Sequence, residues 1–366
     1  MRRSEIHRKR DQTVNLHCCG RLVALPGNIG SLKDFRELNL KCCENLEVLP
    51  KEVGALTRLR CLDLSDTMIK VLPESCISNL CSLEIIDFGN KCAIPKEIKS
   101  WPKLRFLKYF GRKRNEMPRG IETLTCLESL IFYVEKNRDT ISSSGGGSGI
   151  EKLANLNSLQ VLKILNLEFV RDGIDAKKAK LKDKMNLHGL CLDWQSTYKD
   201  DDGEMVYDDD SDDEMTLDEV LEGLEPHINL REFKIHDFPG LKLPKWMGLY
   251  NCLPNLVKLE LSVCYRCEKL PALGILPCLK VLLIDSMNSV KSLGEEFYYE
   301  HEEKEERIGS SSSNSSTKNA PEISLFPSLI HLKIQHMPRL EEWVALFQFI
   351  VHSLPLKSYK SSIAQI

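Results

Sequence analysis

Leu32-Lys33-Asp34-Phe35-Arg36-Glu37-Leu38-Asn39-Leu40 returns 24 residues later as Leu56-Thr57-Arg58-Leu59-Arg60-Cys61-Leu62-Asp63-Leu64. It returns again, after another 24, as Leu80-Cys81-Ser82-Leu83-Glu84-Ile85-Ile86-Asp87-Phe88. Each copy runs on to an aliphatic-Pro exit, at Leu49-Pro50, Leu72-Pro73 and Ile94-Pro95. Period, strand pattern and exit agree, which is the mark of a repeat array. Looser copies extend the series. Val14/Leu16, with Leu25-Pro26 as exit, opens it; Leu107/Tyr109, Leu130/Phe132, Leu162/Ile164, Leu190/Leu192, Phe233/Ile235, Leu259/Leu261, Leu282/Ile284 and Leu332/Ile334 continue it.

Two apolar residues separated by one point to the same face of a short strand. One repeat cannot bury that face alone, so neighbours must stack into a parallel sheet. After each Pro the pattern changes. Pro50-Lys51-Glu52-Val53-Gly54-Ala55-Leu56-Thr57-Arg58-Leu59 places apolar residues every third position, which suits a tight helical return. Strands stack about 4.8 Å apart and helices need about 10 Å, so the returns splay. The expected fold is an α/β repeat solenoid: a horseshoe with a concave parallel β-sheet and short helical or irregular convex returns.

With 366 residues the chain exceeds one ordinary core, a limit a solenoid avoids by growing in one dimension. The net charge of -3 gives no electrostatic case for nucleic acid or a membrane surface. No apolar run follows the basic start, and none reaches the roughly 20 residues of a membrane span. Of the 14 cysteines, Cys19, Cys43 and Cys264 fall three residues after the second strand aliphatic, where Thr67, Phe238, Met287 and Met337 stand in other repeats. That phase predicts reduced, structural cysteines and a cytoplasmic or nuclear compartment.

Three stretches break the stride: Ser/Gly-rich residues 136–149, acidic residues 199–214, and residues 302–320 with Ser310-Ser311-Ser312-Ser313. They are expected to be disordered excursions. The organisation is then a basic tail over 1–12, repeats over 13–135, a Ser/Gly-rich loop over 136–150, repeats over 151–344, and an atypical tail over 345–366. Neither end shows a polar cap, so the expectation is a piece of something longer.

Chemistry-bearing motifs are weak. Cys264-x-x-Cys267 has no second pair at zinc-ribbon spacing, and repeat phase already explains Cys264. Setting Gly203 at position six of a calcium loop puts Tyr198 at position one and Asp209 at position twelve, so a solvated acidic loop is the better reading. No phosphate loop, nucleophile elbow or H-E-x-x-H motif occurs. The expectation is a non-enzyme with no catalytic residue, no metal and no cofactor.

The exposed positions of the concave face remain. Asp63 and Asp87 make its early part acidic; Lys108, Lys163 and Lys234 make the middle basic, and Phe106, Tyr133 and Trp194 flank the strand core. Aromatic area beside Lys is the composition of protein-binding hot spots. These eight residues are the predicted partner-binding face.

The Leu-x-x-Leu-x-Leu-x-x-Cys/Thr pattern with Leu-Pro exits resembles the intracellular leucine-rich repeats of plant disease-resistance proteins. Later blocks sharpen the likeness: Lys184-Met185-Asn186-Leu187-His188-Gly189-Leu190-Cys191-Leu192-Asp193-Trp194, Leu243-Pro244-Lys245-Trp246-Met247, and Met337-Pro338-Arg339-Leu340-Glu341-Glu342-Trp343. They are similar to the C-terminal repeats of coiled-coil nucleotide-binding immune receptors. The resemblance spans about Val14 to Trp343. It implies repeats that sense a pathogen effector or a guarded host protein and restrain a nucleotide-binding module, in cis or in trans. Without a phosphate loop or heptads, nucleotide switching does not carry over. The alternatives are an adaptor, such as a ubiquitin-ligase substrate receptor, and a truncated decoy of a full receptor.

Overall fold

The computed structural model describes residues 12–109, 117–135, 148–194, 198–199, 205–206, 214–299 and 325–344. The chain divides into two compact units, Met1–Glu135 with Lys152–Gln160, and Lys136–Glu151 with Val161–Ile366.

In the first unit, strands β1 (Thr13–Asn15), β2 (Glu37–Asn39), β3 (Cys61–Asp63), β4 (Ile85–Asp87), β5 (Phe106–Lys108) and β6 (Ser129–Tyr133) stack in chain order as a parallel sheet. Val14, Leu38, Leu62, Ile86 and Leu107 lie in register across β1 to β5. Leu38, Leu40, Leu62, Leu64, Ile86 and Phe88 are each at most 1% exposed, as the repeat phase predicts. Each such leucine contributes roughly 1.5–3 kcal/mol. Backbone bonds continue the stack at the residue before each strand: Arg36 N–H donates to Gln12 O, Arg60 to Arg36, Glu84 to Arg60, Arg105 to Glu84, Glu128 to Arg105 and Gln160 to Glu128. The column ends at Gln160, and the Lys152 ammonium, 2.8 Å from Glu135 Oε1, ties the other end of 152–160 to the same unit.

The returns are 3₁₀ turns at Gly27–Ser31 and Lys51–Ala55 and the short helix α1 (Glu74–Asn79). Pro26, Pro50 and Pro73 precede them, with φ of -69°, -67° and -58°. A ring that fixes φ and lacks an N–H suits the entrance of a helix, where a donor would go unpaired. The returns bury Ile29, Val53 and Cys76 against the sheet. Successive returns approach so closely that a Cβ on Gly54 would stand 2.6 Å from the Ser75 backbone.

The second unit has longer strands: β7 (Val161–Leu165), β8 (Gly189–Asp193), β11 (Glu232–His236), β12 (Lys258–Ser262), β13 (Val281–Asp285) and β15 (His331–Gln335), all parallel and neighbours in that order. Helices α2 (Gly173–Lys177) and α3 (Glu214–Gly223) pack together, and β14 (Ser292–Leu293) pairs with β16 (Glu342–Trp343). Asparagine side chains tie repeat to repeat: Asn229 Nδ2 donates to Met185 O at 2.9 Å and Asn255 Nδ2 to Ile228 O at 3.1 Å.

The acidic insertion differs from expectation. Tyr198–Lys199 (β9) pairs antiparallel with Met205–Val206 (β10), and Glu214 starts α3. Tyr198 and Val206, both β-forming residue types, stand opposite each other in this pair. At the Ser/Gly-rich stretch, Ser148 is buried and its N–H meets Asp175 Oδ2 at 3.3 Å. The rest of these insertions, the basic tail before Gln12 and the tail after Val344 lie outside the described residues.

Candidate functional site

Each three-residue strand of the first unit turns one apolar residue inward and two residues outward. The outward row after the buried residue reads Asn15, Asn39, Asp63, Asp87 and Lys108 in register. Its acids are partly spoken for. Asp63 Oδ1 accepts the Ser65 N–H at 2.9 Å and Asp87 Oδ1 the Gly89 N–H at 2.9 Å, as Asn15 does for His17 and Asn39 for Lys41. These side chains close the turn that ends their own strand. Immediately after it the chain goes left-handed, at Cys18, Cys42, Asp66 and Gly89 with φ of 56° to 63°. Partial burial, then Asp63 beside it, push the Asp87 carboxyl above its ordinary range, against the Gly89 bond and the attraction of Lys108.

The outward row before the buried residue carries Phe106, half-buried on β5, with the Arg105 guanidinium 5.5 Å from its ring centre. Tyr133 ends β6 half-buried, its ring 5.9 Å from that of Tyr109. Tyr109 is buried and donates its hydroxyl to Ile131 O at 2.7 Å. Phe106, Lys108 and Tyr133 thus share the open face of neighbouring strands, and Lys108 is exposed.

In the second unit the central outward row reads Lys163, Cys191, Lys234, Glu260, Leu283 and Lys333. Two of its cations are engaged across strands: Lys163 Nζ stands 3.0 Å from Asp193 Oδ2, and Lys234 Nζ 2.8 Å from Glu260 Oε1. Between the two lysines lies Cys191, whose thiol burial pushes up to about 11, so it stays protonated. Farther along, Asp285 accepts from Gln335 Nε2 at 2.7 Å and faces His336 Nδ1 at 2.7 Å. Although its partial burial works the other way, these bonds and that from Ser286 hold Asp285 below the usual carboxylate range.

Trp194 is not on either open face. It is fully buried, edge-on to Phe238 with ring centres 4.8 Å apart. Trp194 follows Leu190 and Leu192 at steps of two, as Cys18 and Cys42 follow their own strand pairs; those two take the left-handed corner that turns them out, whereas Trp194 does not, so it keeps the inward parity of the strand. No described residue accepts from its indole N–H.

The R13L1/DRL21 leucine-rich repeat family matches residues 150–287. RGA1 of Solanum bulbocastanum, named for disease resistance, is 39% identical over 45% of this chain and 15% of its own length. An Arabidopsis thaliana protein, also named for disease resistance, is 34% identical over 78% of this chain and 18% of its own. The repeats are related to those of plant disease-resistance proteins. The chain spans less than a quarter of the length of the curated relatives it matches. Among solved structures, a leucine-rich repeat protein of Leptospira interrogans aligns over 74% of this chain and 69% of that one, at 23% identity and a TM-score of 0.43.

These leucine-rich repeats carry one feature that sequence reasoning passed over. The column before the first unit's strands is charged, and Arg36, Arg60 and Glu84 line a shallow cleft of 230 Å³ with Arg58, Ser82 and Lys103. Arg60 pairs with Glu84 at 3.4 Å and Arg58 with Asp34 at 2.6 Å. The signal was present: a charged residue precedes the strand in five consecutive repeats, at Arg36, Arg60, Glu84, Arg105 and Glu128. Cysteine phase is met at Cys43 and Cys264, both buried; Cys19 is exposed, because β1 has a described strand on one side only. Cys264 and Cys267 direct their thiols at backbone carbonyls, of Ser262 at 3.7 Å and Gly240 at 3.4 Å. Among the described residues, no helix is long and apolar enough to cross a membrane.

Proposed function

We propose that this chain is a non-enzymatic recognition region of a plant immune receptor, acting in the cytoplasm or nucleus. Its open sheet face engages a protein, either a pathogen effector or a guarded host protein, and restrains a nucleotide-binding module supplied in cis or in trans. The kinship of residues 150–287 with the R13L1/DRL21 repeats carries this reading. The geometry narrows the contact set. Lys163 and Lys234 are already paired within the sheet, and Asp63 and Asp87 serve their own turns. Phe106, Lys108 and Tyr133 combine aromatic area with an exposed cation on rigid strands, so little ordering entropy opposes binding there.

Proximity labelling in plant cells, with this chain as bait, supplies the partner; titration of the purified pair then tests the face. Phe106→Ala and Lys108→Glu are expected to weaken binding by about 1–3 kcal/mol and to leave the unfolding midpoint in place. Lys234→Ala should do less. If the first two variants bind like the parent, the partner sits elsewhere and this reading of the face is lost.

A further inference from the structure

Cys18 and Cys42 are cysteines that core packing does not explain, since Cys18 is exposed and Cys42 only half-buried. What they share is place. Both occupy the left-handed corner that follows a strand, at φ of 61° and 59°, one repeat apart, and Asp66 takes the same corner in the next repeat at 56°. Registered strands therefore stack three ligand-competent side chains in one column. The corners are held by the backbone: Cys18 N–H donates to Lys41 O at 2.8 Å and Cys42 N–H to Ser65 O at 2.9 Å. His17 joins from the first repeat, its own N–H bonded to Asn15 Oδ1 at 3.0 Å.

The ligand atoms converge. His17 Nε2 is 3.6 Å from Cys18 Sγ, and the ligand atoms of His17, Cys18 and Cys42 all lie within 4.8 Å of one another. Cys42 Sγ is 3.8 Å from Asp66 Oδ2. Four donors around a tetrahedral zinc ion, at about 2.3 Å for sulfur and 2.0–2.1 Å for nitrogen, stand roughly 3.5–3.8 Å apart. We propose that His17, Cys18 and Cys42 form a zinc site at the ends of β1 and β2, with Asp66 of the next corner, which lies outside this cluster but within 3.8 Å of Cys42 Sγ, reaching in as the fourth donor. Two thiolates with an imidazole select a borderline-soft cation over magnesium or calcium, which favour all-oxygen shells. Once Asp66 turns in, four protein ligands close the coordination sphere, which makes the ion structural: a pin through three successive corners. The exposed position of His17 and Cys18 gives the ion direct entry from solvent.

The test uses the full chain, reduced and stripped by chelator, titrated with Zn²⁺ against a competing chromophoric chelator and separately with Co²⁺. One ion per chain is expected. The cobalt form should show thiolate-to-metal charge transfer and the intense d–d bands of a tetrahedral site. Cys18→Ser and Cys42→Ser should each weaken zinc binding by more than about 100-fold, beyond the 10–100-fold typical of losing a second-layer partner. Asp66→Asn should cost less, and Cys81→Ser, at an exposed thiol outside the column, nothing. Far-ultraviolet circular dichroism checks that each variant is folded before titration, and zinc should raise the unfolding midpoint of the parent but not of folded Cys42→Ser. Three results would overturn the site: no stoichiometric uptake, uptake unchanged in the Cys18→Ser/Cys42→Ser double variant, or a Cys18–Cys42 disulfide in cell-derived protein whose reduced form takes up no zinc.

Discussion

The two units use the same repeat and spend their exposed polar groups differently. In the first, strands β1 to β5 are three residues long and each Asn or Asp on their open face bonds to a backbone N–H two residues further on, within its own repeat. In the second, strands are five residues long and Lys163 and Lys234 reach acids on the neighbouring strand. Strand length decides which is possible. A short strand places its outward residue next to the turn, where a carboxylate finds a local donor. A longer strand moves the central residue away from that turn, so a charge must look sideways. Surface chemistry in such an array therefore follows from where each repeat bends.

The sharpest way to break this comparison is to attack what the units share. Leu62→Asp in the first and Trp194→Ala in the second should each destabilise by at least ~3 kcal/mol, the first by placing an unpaired charge in the core, the second by opening a cavity. Denaturant titration decides it. An unmoved midpoint in Leu62→Asp would mean the repeat phase is wrong, and in Trp194→Ala would return that side chain to the surface.

A smaller effect separates the units. Lys163→Ala strips a buried carboxylate of its cation and should cost about 1 kcal/mol, since the lysine itself is partly solvated. Lys108→Ala, at an exposed position on the other face, should stay within about 0.5 kcal/mol. Equal losses measured in the same titration would remove the distinction between local and cross-strand engagement.

The smallest effect has opposite sign in the two units. Asp87 has a raised carboxyl pKa, so the folded state holds its proton more tightly than the unfolded chain does, and stability is lost as pH climbs past the ordinary carboxylate value. Asp285 has a lowered one, so its contribution is full above the ordinary value and is lost as pH falls through the folded value. Asp87→Asn should therefore gain, and Asp285→Asn lose, a few tenths of a kcal/mol at neutral pH. Both differences should vanish in acid. Stability measured across pH 2–7 sinks the idea if the two variants shift in the same direction.

Much of this fold was legible because a 24-residue stride leaves Leu38, Leu62 and Ile86 no other way to be buried together. Trp194 was not: counting in twos from Leu190 points it inward, but the same count from Leu38 reaches Cys42, which a left-handed corner turns outward, and residue type does not tell which repeats take that corner. The ion pairs were not. Lys163 and Asp193 are partners only because repeats of unequal length place β7 beside β8, and no local rule supplies that register. Nor was the hairpin β9–β10 legible beneath the charges around it. The corner column escaped for a related reason: His17, Cys18, Cys42 and Asp66 meet through stacked left-handed turns, and backbone handedness leaves little trace in residue type when cysteine occupies the position.

The self-contained turns of the first unit bear on how such a gene can change length. Because Asn39, Asp63 and Asp87 each cap a bend inside their own repeat, removing or duplicating one 24-residue stretch by unequal exchange separates no capping residue from its acceptor or donor. In the second unit the same event would strand Lys163 from Asp193 or Lys234 from Glu260. Recombination can edit the first stretch of such an array in whole repeats, while the second tolerates substitution better than insertion or loss.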